Sequence, residues 1–297
     1  MTARRSAVAA GTAALLVLAL AGCGSGDTPG SGGDGDGDGD RIVLTPAKDG
    51  GSGAQPVGNP VGDGTSPEVE GYRMTDVHLS GAEGSGDVSF RILAPSGQPL
   101  LTYTEEQTKL LHLYVVRDDL AQFRHLHPTL AQDGTWTARV DLGSPGRWRV
   151  VAEFIPEGST TPLVAGTTLR VAGAWTRVEV PRGDEAATGD DGVVRARLLA
   201  SGEIGPNGRL RLRLTDADGE PVALGSYLGA SAHLTGFAAD SRGFVHVHPY
   251  GAPEVTDDGT VLTFHTVFTE PGDYRLFLQV RVDGLLHQVA VTAPVGS

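Results

Sequence analysis

Leu111 to Pro128 reads LHLYVVRDDLAQFRHLHP, and Ala232 to Pro249 reads AHLTGFAADSRGFVHVHP. Each stretch opens on a run of strand length, crosses an Asp-containing turn and returns through a shorter run, so each reads as a β-hairpin. In both, a histidine is followed thirteen residues later by His-x-His-Pro: His112, then His125, His127 and Pro128; His233, then His246, His248 and Pro249. The proline closes the returning strand, because it cannot donate to a ladder.

The likeness extends outward. Asp133-Gly134-Thr135 recurs as Asp258-Gly259-Thr260, and Pro145-Gly146-Arg147-Trp148-Arg149 recurs as Pro271-Gly272-Asp273-Tyr274-Arg275. Short apolar or alternating runs separated by Gly, Pro, Asp and Asn fill both halves, and no stretch holds a helical period. The expected fold class is all-β: two tandem immunoglobulin-like β-sandwich domains, residues 68–173 and 174–297, arising by duplication of a unit of about 110 residues. The second copy is expected to open with a strand over 175–181.

The hairpin reading has a chemical consequence. Side chains alternate between faces, so His125 and His127 share one face and His112 lies across from them on it, with opposed Cβ atoms about 4.5–5.5 Å apart. Leu111, Leu113, Val115 and Leu126 take the other face as core, and Leu234, Val245 and Val247 do so in the second copy. Tyr114 and Phe123, or Phe237 and Phe244, flank the histidines. The spacing predicts two surface-facing three-imidazole sites, with His265 as a fourth ligand in the second copy and His78 and His287 solitary. Nitrogen ligands suit Cu(II) or Zn(II). Met74 is the only sulfur beyond Met1 and Cys23, which disfavours a copper(I) shuttle. Asp119, Asp240 and Glu254 are candidate carboxylates near the sites. The alternative is a non-catalytic interaction module whose histidines are structural.

Arg4 and Arg5 precede an apolar run, 7–21, too short to span a bilayer comfortably, which marks residues 1–22 as an export signal. The run ends in Leu20-Ala21-Gly22-Cys23, which resembles the lipobox of bacterial lipoproteins. That resemblance implies lipid on Cys23 and anchoring on the outer face of the bacterial cell membrane. Residues 23–67 read as a disordered Gly/Asp/Pro-rich spacer, with Asp34, Asp36, Asp38 and Asp40 in Gly-Asp pairs, reaching about 35–40 Å. A single cysteine excludes intrachain disulfides, and a formal charge of -13 argues against nucleic acid as a partner. No protein partner is implied.

His112-Leu113-Tyr114-Val115-Val116, His125-Leu126-His127-Pro128, Asp133-Gly134-Thr135-Trp136 and Pro145-Gly146-Arg147-Trp148 resemble a family of secreted bacterial lipoproteins with repeated immunoglobulin-like domains. Its members look like heavy-metal-associated proteins of poorly defined role. The resemblance adds to the metal reading without naming a reaction; the expected role is a metal chaperone, buffer or sensor. Phe244 to His248 is similar to the copper-ligand strand of copper/zinc superoxide dismutases, which makes a metal-dependent redox enzyme the third reading. No Ser-His-Asp set, nucleotide loop or paired carboxylates stand out, so an enzyme is not expected.

Overall fold

The computed structural model describes residues 59–81, 84–200, 202–203 and 205–296, all within one unit. Cys23, the signal segment and most of the spacer lie outside the described residues. The first half contributes β1 (Glu68–Val69), β2 (Tyr72–Leu79), β3 (Ser85–Leu93), β4 (Tyr103–Thr104), β5 (Leu111–Arg117), β6 (Phe123–Leu126), β7 (Thr129–Leu130), β8 (Thr135–Asp141), β9 (Gly146–Pro156) and β10 (Leu163–Val171). The second contributes β11 (Thr188–Asp190), β12 (Arg195–Ala200), β13 (Gly202–Glu203), β14 (Gly205–Thr215), β15 (Ala232–Ala238), β16 (Phe244–Pro249), β17 (Glu254–Thr256), β18 (Gly259–Phe268), β19 (Gly272–Val282) and β20 (Leu285–Gly296).

Two sheets, β1-β2-β3-β8-β7 and β10-β9-β5-β6, face each other in the first half. Val88, Phe90, Ile92 and Trp136 from one meet Leu113, Val115, Trp148 and Val150 from the other, and this core holds the sandwich together by apolar burial. Trp136 keeps its indole N–H satisfied on the Tyr103 hydroxyl at 3.0 Å, so a polar atom enters the core without penalty. In the second half one sheet runs β11-β12-β14-β18-β16-β15-β19-β20-β13 and folds back until β11 and β12 touch β20. Leu210, Leu212, Leu234, Leu262, Phe264, Leu276, Leu278 and Val291 fill its inside. The fold is two tandem immunoglobulin-like β-sandwiches.

β5, β15 and most of β9 are buried on both faces, which a half-solvated sheet would not allow. What covers the second face is the other sandwich. Tyr114, Val116, Phe123 and Val151 meet Phe237, Phe244 and Phe277 in a third apolar cluster between the two cores. Phe123 and Phe277 stack at 4.4 Å. The face expected to carry exposed histidines is therefore the seam, and His112 and His233 retain only 2% and 6% of their exposure. Equivalent faces of the two copies oppose each other, so the seam has an approximate twofold relation.

Two further expectations are corrected. Residues 175–181 form no strand; the stretch crosses between the copies, with the Val178 N–H on Asp119 Oδ2 at 3.0 Å and Val180 packed on the seam cluster, and that docking accounts for its alternation. Residues 59–67, read as the end of the spacer, are built in. Val164 N donates to Val61 O and Gly166 N to Ser66 O at 2.9 and 2.7 Å. Gly64 sits at φ +67 against Val151, where a Cβ would lie 2.7 Å from a methyl carbon.

Candidate metal centre

The registers Leu113↔Leu126 and Tyr114↔His125 set the first hairpin, and β5 also pairs with β9, which places His112 beside Glu153. His112, His125 and His127 come together, with one ring nitrogen of each within 4.8 Å of the others. The ring centroids are 5.2, 5.1 and 4.7 Å apart. Metal–nitrogen bonds of about 2.0–2.1 Å put centroids about 3.2 Å from an ion and, at tetrahedral angles, about 5.2 Å from one another, so the three rings fit one cation.

Hydrogen-bond polarity aims these rings. His112 Nε2 lies 3.1 Å from the Glu106 carbonyl oxygen, which can only accept, so the proton is on Nε2 and Nδ1 carries a lone pair. A second chain begins at the Phe123 carbonyl, which accepts from Gln288 Nε2 at 3.4 Å; Gln288 Oε1 accepts from Gln279 Nε2 at 3.2 Å. Gln279 Oε1 then faces His125 Nδ1 at 2.8 Å, so His125 donates there and keeps its lone pair on Nε2. His112 Nδ1 and His125 Nε2 stand 3.0 Å apart, lone pair against lone pair. Among the described residues, His127 Nε2 is buried without a hydrogen-bond partner.

A positive charge relieves that arrangement, and burial decides which kind. Desolvation lowers His112, lowers His125 well below the ordinary range with the neighbouring imidazoles adding to it, and takes His127 to about 3. The rings are neutral at physiological pH, which is the form that coordinates a cation.

The second copy does not repeat the device. His233 Nε2 meets the Tyr227 carbonyl at 2.9 Å, matching His112 on Glu106. His246, the counterpart of His125, instead sets Nδ1 2.6 Å from Glu153 Oε1, with Nε2 4.0 Å from Glu106. Counted from the two Pro-Gly turns, Glu153 corresponds to Gln279, so each histidine reaches across the seam to equivalent positions that carry different groups. Burial opposes the charge on His246, but Glu153 and then Glu106 overcome it and raise its pKa to about 9. Burial pushes Glu153 up, but His246, His112 and the Tyr114 hydroxyl, which donates to Oε2 at 2.9 Å, outweigh it and lower its pKa. Glu106 is raised to about 7 by burial and by Glu153. A protonated imidazole is no ligand, so His246 stands paired with Glu153 where its counterpart His125 faces Gln279. The backbone of His248 stands in register opposite His265; the His248 side chain lies outside what is described.

The carboxylates singled out from sequence stand elsewhere. Asp119 is tied to Arg117 Nε at 2.8 Å, Asp240 pairs with Arg182 and Glu254 with Arg211. Glu106 and Glu153 were missed, though the charge inside Val150-Val151-Ala152-Glu153-Phe154-Ile155 is a legible signal. His287 is not solitary, since its Nδ1 lies 2.9 Å from Asp191 Oδ2; His78 is exposed on β2.

Residues 187–297 match a family model described as a domain of unknown function, DUF8832. Among curated proteins, none matches this chain. Solved structures that align with this chain include invasin, described as a bacterial integrin-binding protein, at 13% identity and TM-score 0.20. That alignment covers 76% of this chain and 39% of invasin. Domains 4 and 5 of the S-layer protein SbsC align at 10% identity and TM-score 0.22, covering 76% of this chain and 98% of that one. InvD of Yersinia pseudotuberculosis aligns at 13% identity and TM-score 0.22, covering 75% and 56%.

Proposed function

We propose that this chain is an exported immunoglobulin-like module that holds one Cu(II) or Zn(II) ion on His112, His125 and His127, as a metal chaperone, buffer or sensor. The observation that supports it is the 3.0 Å approach of His112 Nδ1 to His125 Nε2 with both protons fixed elsewhere by carbonyl-anchored hydrogen bonds. His127 joins them with one ring nitrogen within 4.8 Å of theirs, and among the described residues its Nε2 is buried with no hydrogen-bond partner. The nitrogen-only donor set suits either ion. The first copy carries this reading and the second does not, because its His246 is committed to Glu153.

The test is metal analysis followed by titration with Cu(II) and Zn(II), on the wild type and on His125→Ala/His127→Ala. One ion per chain, lost in the double variant and kept in His246→Gln, is the expected result. Binding weaker than about micromolar for both ions, or equal binding by the double variant, overturns it. A second reading, a surface interaction module with structural histidines, is favoured by the burial of these side chains in the seam, and it predicts that failure. Lipid attachment at Cys23 rests on the lipobox-like tetrapeptide; Cys23→Ser should move the protein out of the membrane fraction.

A further inference from the structure

Strand register sets a histidine of each copy beside the group that holds a histidine of the other. His233 on β15 stands opposite Gln279 on β19, and Gln279 Oε1 accepts from His125 Nδ1 at 2.8 Å. Opposed residues of an antiparallel pair share a face, with Cβ atoms about 4.5–5.5 Å apart, so His233 and Gln279 reach into the seam side by side. His233 therefore arrives next to His125, which belongs to the other sandwich; the two rings lie 6.0 Å apart and tilted by 58°. The relation runs in reverse for His112, which stands opposite Glu153, the holder of His246 Nδ1.

His233 has the protonation state of a ligand. Its Nε2 faces the Tyr227 carbonyl oxygen at 2.9 Å, which can only accept, so the proton sits there and Nδ1 keeps the lone pair, as on His112. Burial, with His112 and then His246 adding to it, outweighs the Tyr227 hydrogen bond and lowers its pKa to about 4, so the ring is neutral at physiological pH. A charge on His233 opposes protonation of His125 and of His127, which places it near both. The nitrogens of His112, His125 and His127 lie within 4.8 Å of one another, and His233 stands just outside that set. Imidazoles on one tetrahedral ion have centroids about 5.2 Å apart, so the His233 ring joins them by closing on His125 by about 0.8 Å. The ring is not locked in place, because it borders a cavity of about 10 Å3 shared with Tyr114, Thr235, Phe244 and His246, room for about one water.

We propose that an ion held by His112, His125 and His127 draws in His233 from across the seam as its fourth ligand. The inference rests on the three-histidine reading above and extends it: the donor set becomes four nitrogens, three from one copy and one from the other, and the ion pins the two sandwiches together. It gives His233 a role although its own hairpin partner, His246, is taken by Glu153. A site closed by four protein ligands leaves no position for a substrate, which fits buffering of the ion better than turnover at it.

X-ray absorption at the zinc edge of the Zn(II)-loaded full chain counts the imidazoles directly, and electron paramagnetic resonance of the Cu(II)-loaded chain counts the coupled nitrogens. Four histidine nitrogens are expected in the wild type and three in His233→Gln, with Zn(II) affinity weakened at least about tenfold in competition titrations. His246→Gln should keep four nitrogens and the wild-type affinity. An unchanged melting temperature of metal-free His233→Gln shows that this variant folds, and the wild-type count decides the matter by itself if it does not. Three histidine nitrogens in the wild type, or the same count in His233→Gln as in the wild type, overturns the inference and leaves the three-histidine site standing. No binding by the wild type at about micromolar metal is instead the failure of the underlying reading, and this inference falls with it.

Discussion

His246 Nδ1 lies 2.6 Å from Glu153 Oε1, a buried ion pair that joins one sandwich to the other. Its energetics depend on pH through His246, whose folded pKa of about 9 stands above the ordinary 6.5. A raised pKa of this kind contributes stability that is complete below about pH 6.5 and is lost as pH climbs through 9. Glu106, raised to about 7 from 4.5, changes stability in the same direction at lower pH. Denaturant unfolding from pH 7 to pH 9.5, above the range in which His112, His125, His127 and His233, whose pKa values are lowered, add stability with rising pH, should therefore show a decline on the order of 2 kcal/mol. A flat profile would mean that His246 is not charged in the folded chain.

Glu153→Gln makes the second end of the seam resemble the Gln279 end. The expected result is a loss of about 1–3 kcal/mol at pH 7 and disappearance of the decline between pH 6.5 and 9. The double variant His246→Gln/Glu153→Gln should cost less than the sum of the single changes, since each single change leaves the other partner buried and unmatched. Additive costs would show that the two groups do not interact.

The seam cluster is expected to couple the two sandwiches. Phe123 and Phe277 stack across it at 4.4 Å, and both are buried. Phe277→Ala should cost about 3–5 kcal/mol by leaving a cavity on the Phe123 ring. Calorimetry should show one transition in the wild type and two in the variant, as the copies begin to melt separately. A single, merely shifted transition would place the coupling elsewhere.

The hairpins were legible because residue types alternate: Leu111, Leu113 and Val115 against His112, Tyr114 and Val116 announces a strand and its faces. What covers the second face was not, since a period of two separates faces without naming their neighbours. Tyr114, Val116, Phe123 and Phe237 held the missing clue, because four large apolar residues beside the histidines are more than a wet sheet face requires. The three-histidine group of the first copy followed from spacing alone. The divergence of the second did not, because it turns on Glu153 and Gln279, which lie outside the hairpin motif and meet it only through the packing of one copy on the other.

Gln279 offers the sharpest test of how the first-copy histidines are aimed. It accepts from His125 Nδ1 at 2.8 Å and is itself fixed by its 3.2 Å bond to Gln288, so His125 holds its lone pair on Nε2, facing His112. Gln279→Leu removes that acceptor while keeping similar volume, and the freed ring can flip or change tautomer. Outer partners of this kind are worth about ten- to hundredfold in metal affinity. The variant should therefore bind Cu(II) or Zn(II) that much more weakly in competition titrations, whereas Gln288→Leu, one step further along the chain, should lose less. Equal affinity in the wild type and Gln279→Leu would show that His125 is aimed by packing against Tyr114, whose ring lies 4.6 Å away, and not by the glutamine relay.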